Sequence, residues 1–143
     1  MSIAIDANIL VYSMNTASAE HGKANDALAR AMAAGEMLYL FPPTLTAVLR
    51  VATHPRLLAR PLALEDVIRR LRELLALPVV QFGVPGDAFL EGIREVALAV
   101  DARGNVVHDA EIVTLMKAHG VSRILTADRD FLRFPGIAVE LLT

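Results

Sequence analysis

A chain of 143 residues with no cysteine and a formal charge of −2 suits one domain spanning 1–143, and excludes disulfides, thiol catalysis and cysteine-ligated zinc together. The 55% hydrophobic fraction, with no Trp, predicts elements covered on more than one face, yet no apolar run nears the ~20 residues of a membrane span. The amino terminus lacks a basic n-region and a cleavage site, which predicts a cytoplasmic protein, and the near-neutral charge means that a nucleic-acid substrate would rely on local Arg residues and metal ions.

Ser2–Ile5 reads as a short strand that runs straight into Asp6. His21–Ala34 reads as a helix, with Ala24, Ala27, Leu28 and Ala31 at helical spacing and Gly35 as its stop. Met37–Phe41 is a second strand, and Pro42–Pro43 suits the first turn of the helix that follows. Leu64–Leu77 carries the clearest helical stripe, Val67, Ile68, Leu71, Leu74 and Leu75. Val79–Phe82 is a third strand, Gly86–Val100 a helix and Asp101–Asn105 a polar turn. Asp109–His119 is helical and closes at Gly120; Arg123–Ala127 and Ile137–Leu141 are the last strands. Strands alternating with helices imply right-handed βαβ units. The expected fold is a three-layer α/β/α sandwich around a mainly parallel sheet of about five strands.

Functional groups in such sheets collect at the carboxyl ends of the strands. Asp6 stands at the end of the first strand, where a helix cap and a site residue are both reasonable readings. Asp109 heads the face that continues through Ile112, Val113 and Met116. A cap is again the plainer reading, but a buried charge needs a partner or a metal. Asp128 and Asp130 follow the buried strand Arg123–Ala127, where Asp-rich turns are common. No one of these acids is specific, but they share an edge of one sheet. Clustered carboxylates repel and persist where a divalent cation neutralises them. Oxygen-only ligands favour Mg²⁺ or Mn²⁺, and such a site activates water and steadies charge on a phosphodiester.

The segments "IDANILVYS", "VVHDAEI" and "LTADRDFLRFPGI", in this order and spacing, resemble the PIN-domain ribonucleases, and among them the VapC-type toxins of toxin–antitoxin pairs. The resemblance implies a Mg²⁺- or Mn²⁺-dependent endoribonuclease acting on RNA, with tRNA and rRNA as candidates, in a homodimer silenced by a cognate antitoxin. It implies Asp6, Asp109 and Asp128 as the metal-binding acids, with Asp130 as an accessory. Asn8 would hydrogen-bond the first acid or a metal-bound water, and Thr126 matches the small hydroxyl residue before the last acid. One position departs: Ala47 stands where the family usually carries a Glu, three residues before Arg50. Three core acids remain, which favours one tightly held ion over two. The departure also opens a rival reading, a PIN-like module that binds RNA or protein without cutting.

Asp130 could partly substitute for the missing Glu if the chain after Ala127 stays extended, since i and i+2 then share a side. Glu111 is turned away from Asp109 by two helical steps. Arg50 could touch a phosphate or form a structural salt bridge. Arg129 could reach the scissile phosphate or pair with the acids that flank it. His108 could pass a proton to the leaving oxygen, or serve as a polar residue where the helix starts. The arginines at 56, 60, 69, 70 and 72 could form an RNA-facing patch, although a solvated helix face explains them equally. A phosphatase of another α/β fold is disfavoured, because Asn8 stands where an aspartyl-phosphate site needs a second acid.

Overall fold

The computed structural model describes residues 1–143. In chain order it contains β1 (Ser2–Ile5), α1 (Ala7–Met14), α2 (His21–Ala33), β2 (Met37–Leu40), α3 (Pro42–Ala52) and α4 (Leu64–Leu75). These are followed by β3 (Val80–Phe82), α5 (Phe89–Ala99), α6 (Asn105–Ala118), β4 (Arg123–Thr126), a 3₁₀ helix over Arg129–Arg133 and β5 (Ala138–Leu141). The strands form one five-stranded sheet in the order β3-β2-β1-β4-β5, with every pairing parallel. This is the expected sandwich.

The two-residue period of the strands sends alternate side chains to opposite layers. Ile3, Ile5, Leu38, Leu40 and Leu125 enter one core with residues of α1–α4. Ala4, Phe41 and Ile124 enter the other with α5, α6, Phe131 and Phe134. No helix is long and apolar enough to cross a membrane.

The chain lays β2 and β3 on one side of β1, then returns to place β4 on the other. The border between β1 and β4 is therefore the topological switch point, and the crevice outside its carboxyl ends is the natural ligand site. Asp6 and Asp128 both follow strands at that border.

Two expectations need correction. The last long helix begins at Asn105 and not at Asp109, so Asp109 lies beyond its first turn and cannot cap it. Gly104 makes the early start possible: its φ of 57° with ψ of −127° is a conformation that only glycine adopts without strain. The chain after Asp128 also does not stay extended, because it turns at once into the 3₁₀ helix. Asp130 thus does not sit on the same side as Asp128 by strand alternation. Smaller differences fall at element ends, as where the helix expected from Gly86 starts at Phe89.

Candidate metal centre

Asp6 follows β1 in extended conformation (φ −74°, ψ 153°) and leads into α1. Its Oδ1 accepts the Ala7 N–H at 2.8 Å, so the cap reading holds for that one donor. Its Oδ2 accepts the Thr126 hydroxyl at 2.6 Å and the Asn8 amide at 3.2 Å. The Asp6 N–H donates to Leu125 O at 3.0 Å, tying the end of β1 to β4.

Thr126 is wholly buried and links two acids. While its hydroxyl donates to Asp6, its oxygen accepts the Asp128 N–H at 2.9 Å. Asn8 closes the circuit, because its Oδ1 accepts the Ala127 N–H at 3.2 Å. That bond fixes which end of the amide faces Asp6. Asp128 in turn starts the 3₁₀ helix, its Oδ1 accepting the Asp130 N–H at 2.8 Å. Sequence motifs 120 residues apart thus meet through one hydroxyl.

Asp109 is buried on α6 and is treated differently. No hydrogen bond supports its carboxylate; burial raises its pKa first, and the charges of Asp128, Asp6 and Asp130 raise it further, to about 7. Asp6 is also raised, chiefly by burial, against the pull of its Thr126 and Ala7 hydrogen bonds. Asp130 is exposed and its carboxylate meets Arg133 at 3.4 Å. Arg133, which the sequence reading passed over, also draws the Asp109 pKa back slightly. It stands three residues after Asp130, the i,i+3 spacing of a helical ion pair, and that spacing was the available signal.

Carboxylate oxygens of Asp109, Asp128 and Asp130 lie within 4.8 Å of one another. That is close to the spread of oxygens around a hard cation with bonds of ~2.1 Å. Asp6 is outside this close-set trio but borders the same cavity of about 260 Å³, together with Asn8, Asp109 and Asp128. A buried acid with no donor among three others, offering oxygen ligands only, fits a divalent cation of the Mg²⁺ or Mn²⁺ type. Ala47 is buried in the cavity wall, so α3 brings a methyl group there and no ligand.

Tyr12 also lines the cavity, a position absent from the sequence reading although it lies one helical turn beyond Asn8. Arg50 is exposed, and it lines both this cavity and a neighbouring cleft rather than forming the structural salt bridge considered for it. His108 lines both as well, and its Nδ1 lies 3.7 Å from Glu111. It sits inside α6, not at its start. Arg129 is exposed and pairs with neither flanking acid. In the segment with the clustered arginines, Arg69 pairs with Asp66 on the exposed face of α4.

The PIN-domain family model matches residues 3–137. Ribonuclease VapC48 of Mycobacterium tuberculosis is 38% identical over 140 residues, which is 98% of this chain and 97% of that one. Ribonuclease VapC37 of the same species is 31% identical over 133 residues, 93% and 92% of the two chains. Among solved structures, VapBC2 from Rickettsia felis bound to a promoter DNA fragment superposes over the full length of both chains with a TM-score of 0.72 at 16% identity. VapC20 of M. tuberculosis, described as a toxin cleaving the sarcin-ricin loop, covers 95% of this chain and 98% of its own with a TM-score of 0.69 at 17% identity. With the fold, the acid cluster and full-length relatives in agreement, the chain belongs to the PIN-domain family, among its VapC-type ribonucleases.

Proposed function

We propose that the chain is a divalent-cation-dependent endoribonuclease that serves as the toxin of a toxin–antitoxin pair. One observation carries the metal dependence: Asp109 is buried, unsupported by any hydrogen bond, and surrounded by three more carboxylates. Asp109, Asp128 and Asp130 would hold the ion, with Asp6 at its border. Bound there, Mg²⁺ or Mn²⁺ supplies Lewis-acid stabilisation of the phosphodiester and acidification of water. Asp6, held by Thr126 and Asn8, orients the attacking water by accepting its hydrogen bond. Arg50 and His108, at the mouth of the cavity, receive the substrate phosphate and the leaving oxygen. Attack by water and not by the ribose 2′-hydroxyl leaves a 5′-phosphate and a 3′-hydroxyl.

Relatives named as ribonucleases over their whole length weigh against a module that only binds. Neighbours in fold include a toxin–antitoxin complex from Klebsiella pneumoniae, with a TM-score of 0.62. An antitoxin would silence this site by placing a basic side chain among the acids, and a homodimer would cover apolar residues such as Leu90 and Leu98 on α5. The test is direct. Protein freed of its partner should cleave RNA with Mg²⁺ or Mn²⁺, leave 5′-phosphates, and lose cleavage on Asp6→Asn. Cleavage undiminished by EDTA, or by Asp6→Asn, would overturn the reading.

A further inference from the structure

The acid cavity opens into a larger cleft of about 500 Å³, within the usual range of ligand pockets. The two share Ala47, Arg50 and His108. A strand with its scissile phosphate at the acids would thus have this cleft within reach of an adjacent nucleotide. On the wall from α3, Pro42 and Pro43 have no N–H and the Thr46 hydroxyl is turned onto the Pro43 and Pro42 carbonyls at 3.2 and 3.4 Å. That leaves Arg50, assigned above to the phosphate, as the donor on that side. Opposite, on α6, stands Glu111, the one carboxylate lining the cleft. Its side chain is 30% exposed, it lies outside the metal-type cluster, and its His108 contact of 3.7 Å is too long for a hydrogen bond.

A carboxylate offers two acceptor oxygens side by side and no donor. It matches a base edge with two parallel N–H donors. Guanine has that edge in N1–H and N2–H₂, whereas the Watson–Crick edges of adenine, cytosine and uracil set an acceptor beside their donor, and the carboxylate repels it. We propose that Glu111 determines specificity for the nucleotide next to the cut, reading guanine through N1–H and N2–H₂. The assignment rests on the ribonuclease reading above. A solvated i,i+3 pair with His108 would give the same contact but no base preference.

The experiment compares wild type and Glu111→Gln on short RNAs carrying guanine, inosine or adenine at each position beside the cut. Inosine keeps N1–H and lacks the N2 amino group. Wild type should favour guanine over adenine by about 5- to 100-fold at one fixed position, the range of a good two-point base contact, and inosine should fall between them. Glu111→Gln should flatten the series while cleaving the adenine RNA within about threefold of wild type, with an unchanged melting temperature. A flat wild-type series, inosine equal to guanine, or a series unmoved by Glu111→Gln would overturn the assignment. Binding of the same RNAs by fluorescence anisotropy in EDTA separates the two readings. Guanine preference in binding without cleavage in any metal would sink the nuclease reading and uphold Glu111, whereas cleavage without guanine preference would do the reverse.

Discussion

Replacing Asp109 with Asn should stabilise the metal-free protein while abolishing its activity. Raising the carboxyl from its ordinary 3.8 to about 7 corresponds to ~4 kcal/mol against the ionised form in the fold. Asparagine has no charge to penalise. It also forfeits no hydrogen bond, since none supports the Asp109 carboxylate. Burying an amide without a full set of partners costs ~1–3 kcal/mol, which leaves a net gain of ~1–3 kcal/mol at pH 8. For a chain of this size that is about 2–10 °C in melting temperature.

The sign of the pH dependence follows from linkage. An acid whose pKa is raised in the fold binds its proton more tightly folded than unfolded. The Asp109 contribution therefore falls as pH rises from near 4 to near 7, and this group takes away no more above that. By pH 5 the advantage of Asp109→Asn should shrink by over ~2 kcal/mol, to nothing or below. Thermal melts of both proteins in EDTA at pH 5 and pH 8 measure this. A variant no more stable than wild type at pH 8, or equally favoured at both pH values, would refute the claim that Asp109 is a repelled, unsupported charge.

Mn²⁺ should raise the wild-type melting temperature at pH 8 by mass action and do so far less at pH 5, where the proton on Asp109 competes; titrated melts check this. Thr126→Val removes the hydroxyl that supports both Asp6 and Asp128. It should cost ~1–3 kcal/mol in urea unfolding and about 10- to 100-fold in RNA cleavage, with Thr126→Ser restoring most of both. Ala47→Glu adds a carboxylate to the cavity wall, so in Mn²⁺ titrations it should tighten metal binding by about tenfold or more while lowering the melting temperature in EDTA.

Layer order and strand positions were legible in the sequence because hydrophobic periodicity is local and strong, as in Val67 and Leu71 of α4, both buried. The acids were legible as members of motifs, but their environments were not. The start of α6 at Asn105 depends on one glycine in a conformation that no periodicity encodes. The place of Asp130 follows from a 3₁₀ turn capped by Asp128 itself, a local competition between side chain and strand that sequence spacing cannot decide. Tyr12 and Glu111 escaped a functional reading because each matters through a cavity wall made by another element. Such walls exist only once α1, α3 and α6 are packed.

The acids divide by how they are supported. The Asp6 carboxylate is held by Thr126, Asn8 and the Ala7 N–H, and the Asp128 carboxylate by the Asp130 N–H, so protein donors fix an oxygen of each. Asp109 has no such hold, and its charge is set against theirs. A site in which every acid were satisfied by protein donors would gain little from a cation, and one with none satisfied would collapse or protonate without it. The mixture gives held members and one repelled member, Asp109, that a bound cation would relieve. Ala47 belongs to that balance. A further carboxylate at position 47 would strengthen the pull on a second ion, but each added buried charge also raises the pKa of Asp109 further. Omitting it keeps Asp109 near 7, where the acid can still lose its proton to a metal ion at neutral pH. Under the proposed metal role, the methyl group at position 47 would trade metal capacity for a site that one ion can charge.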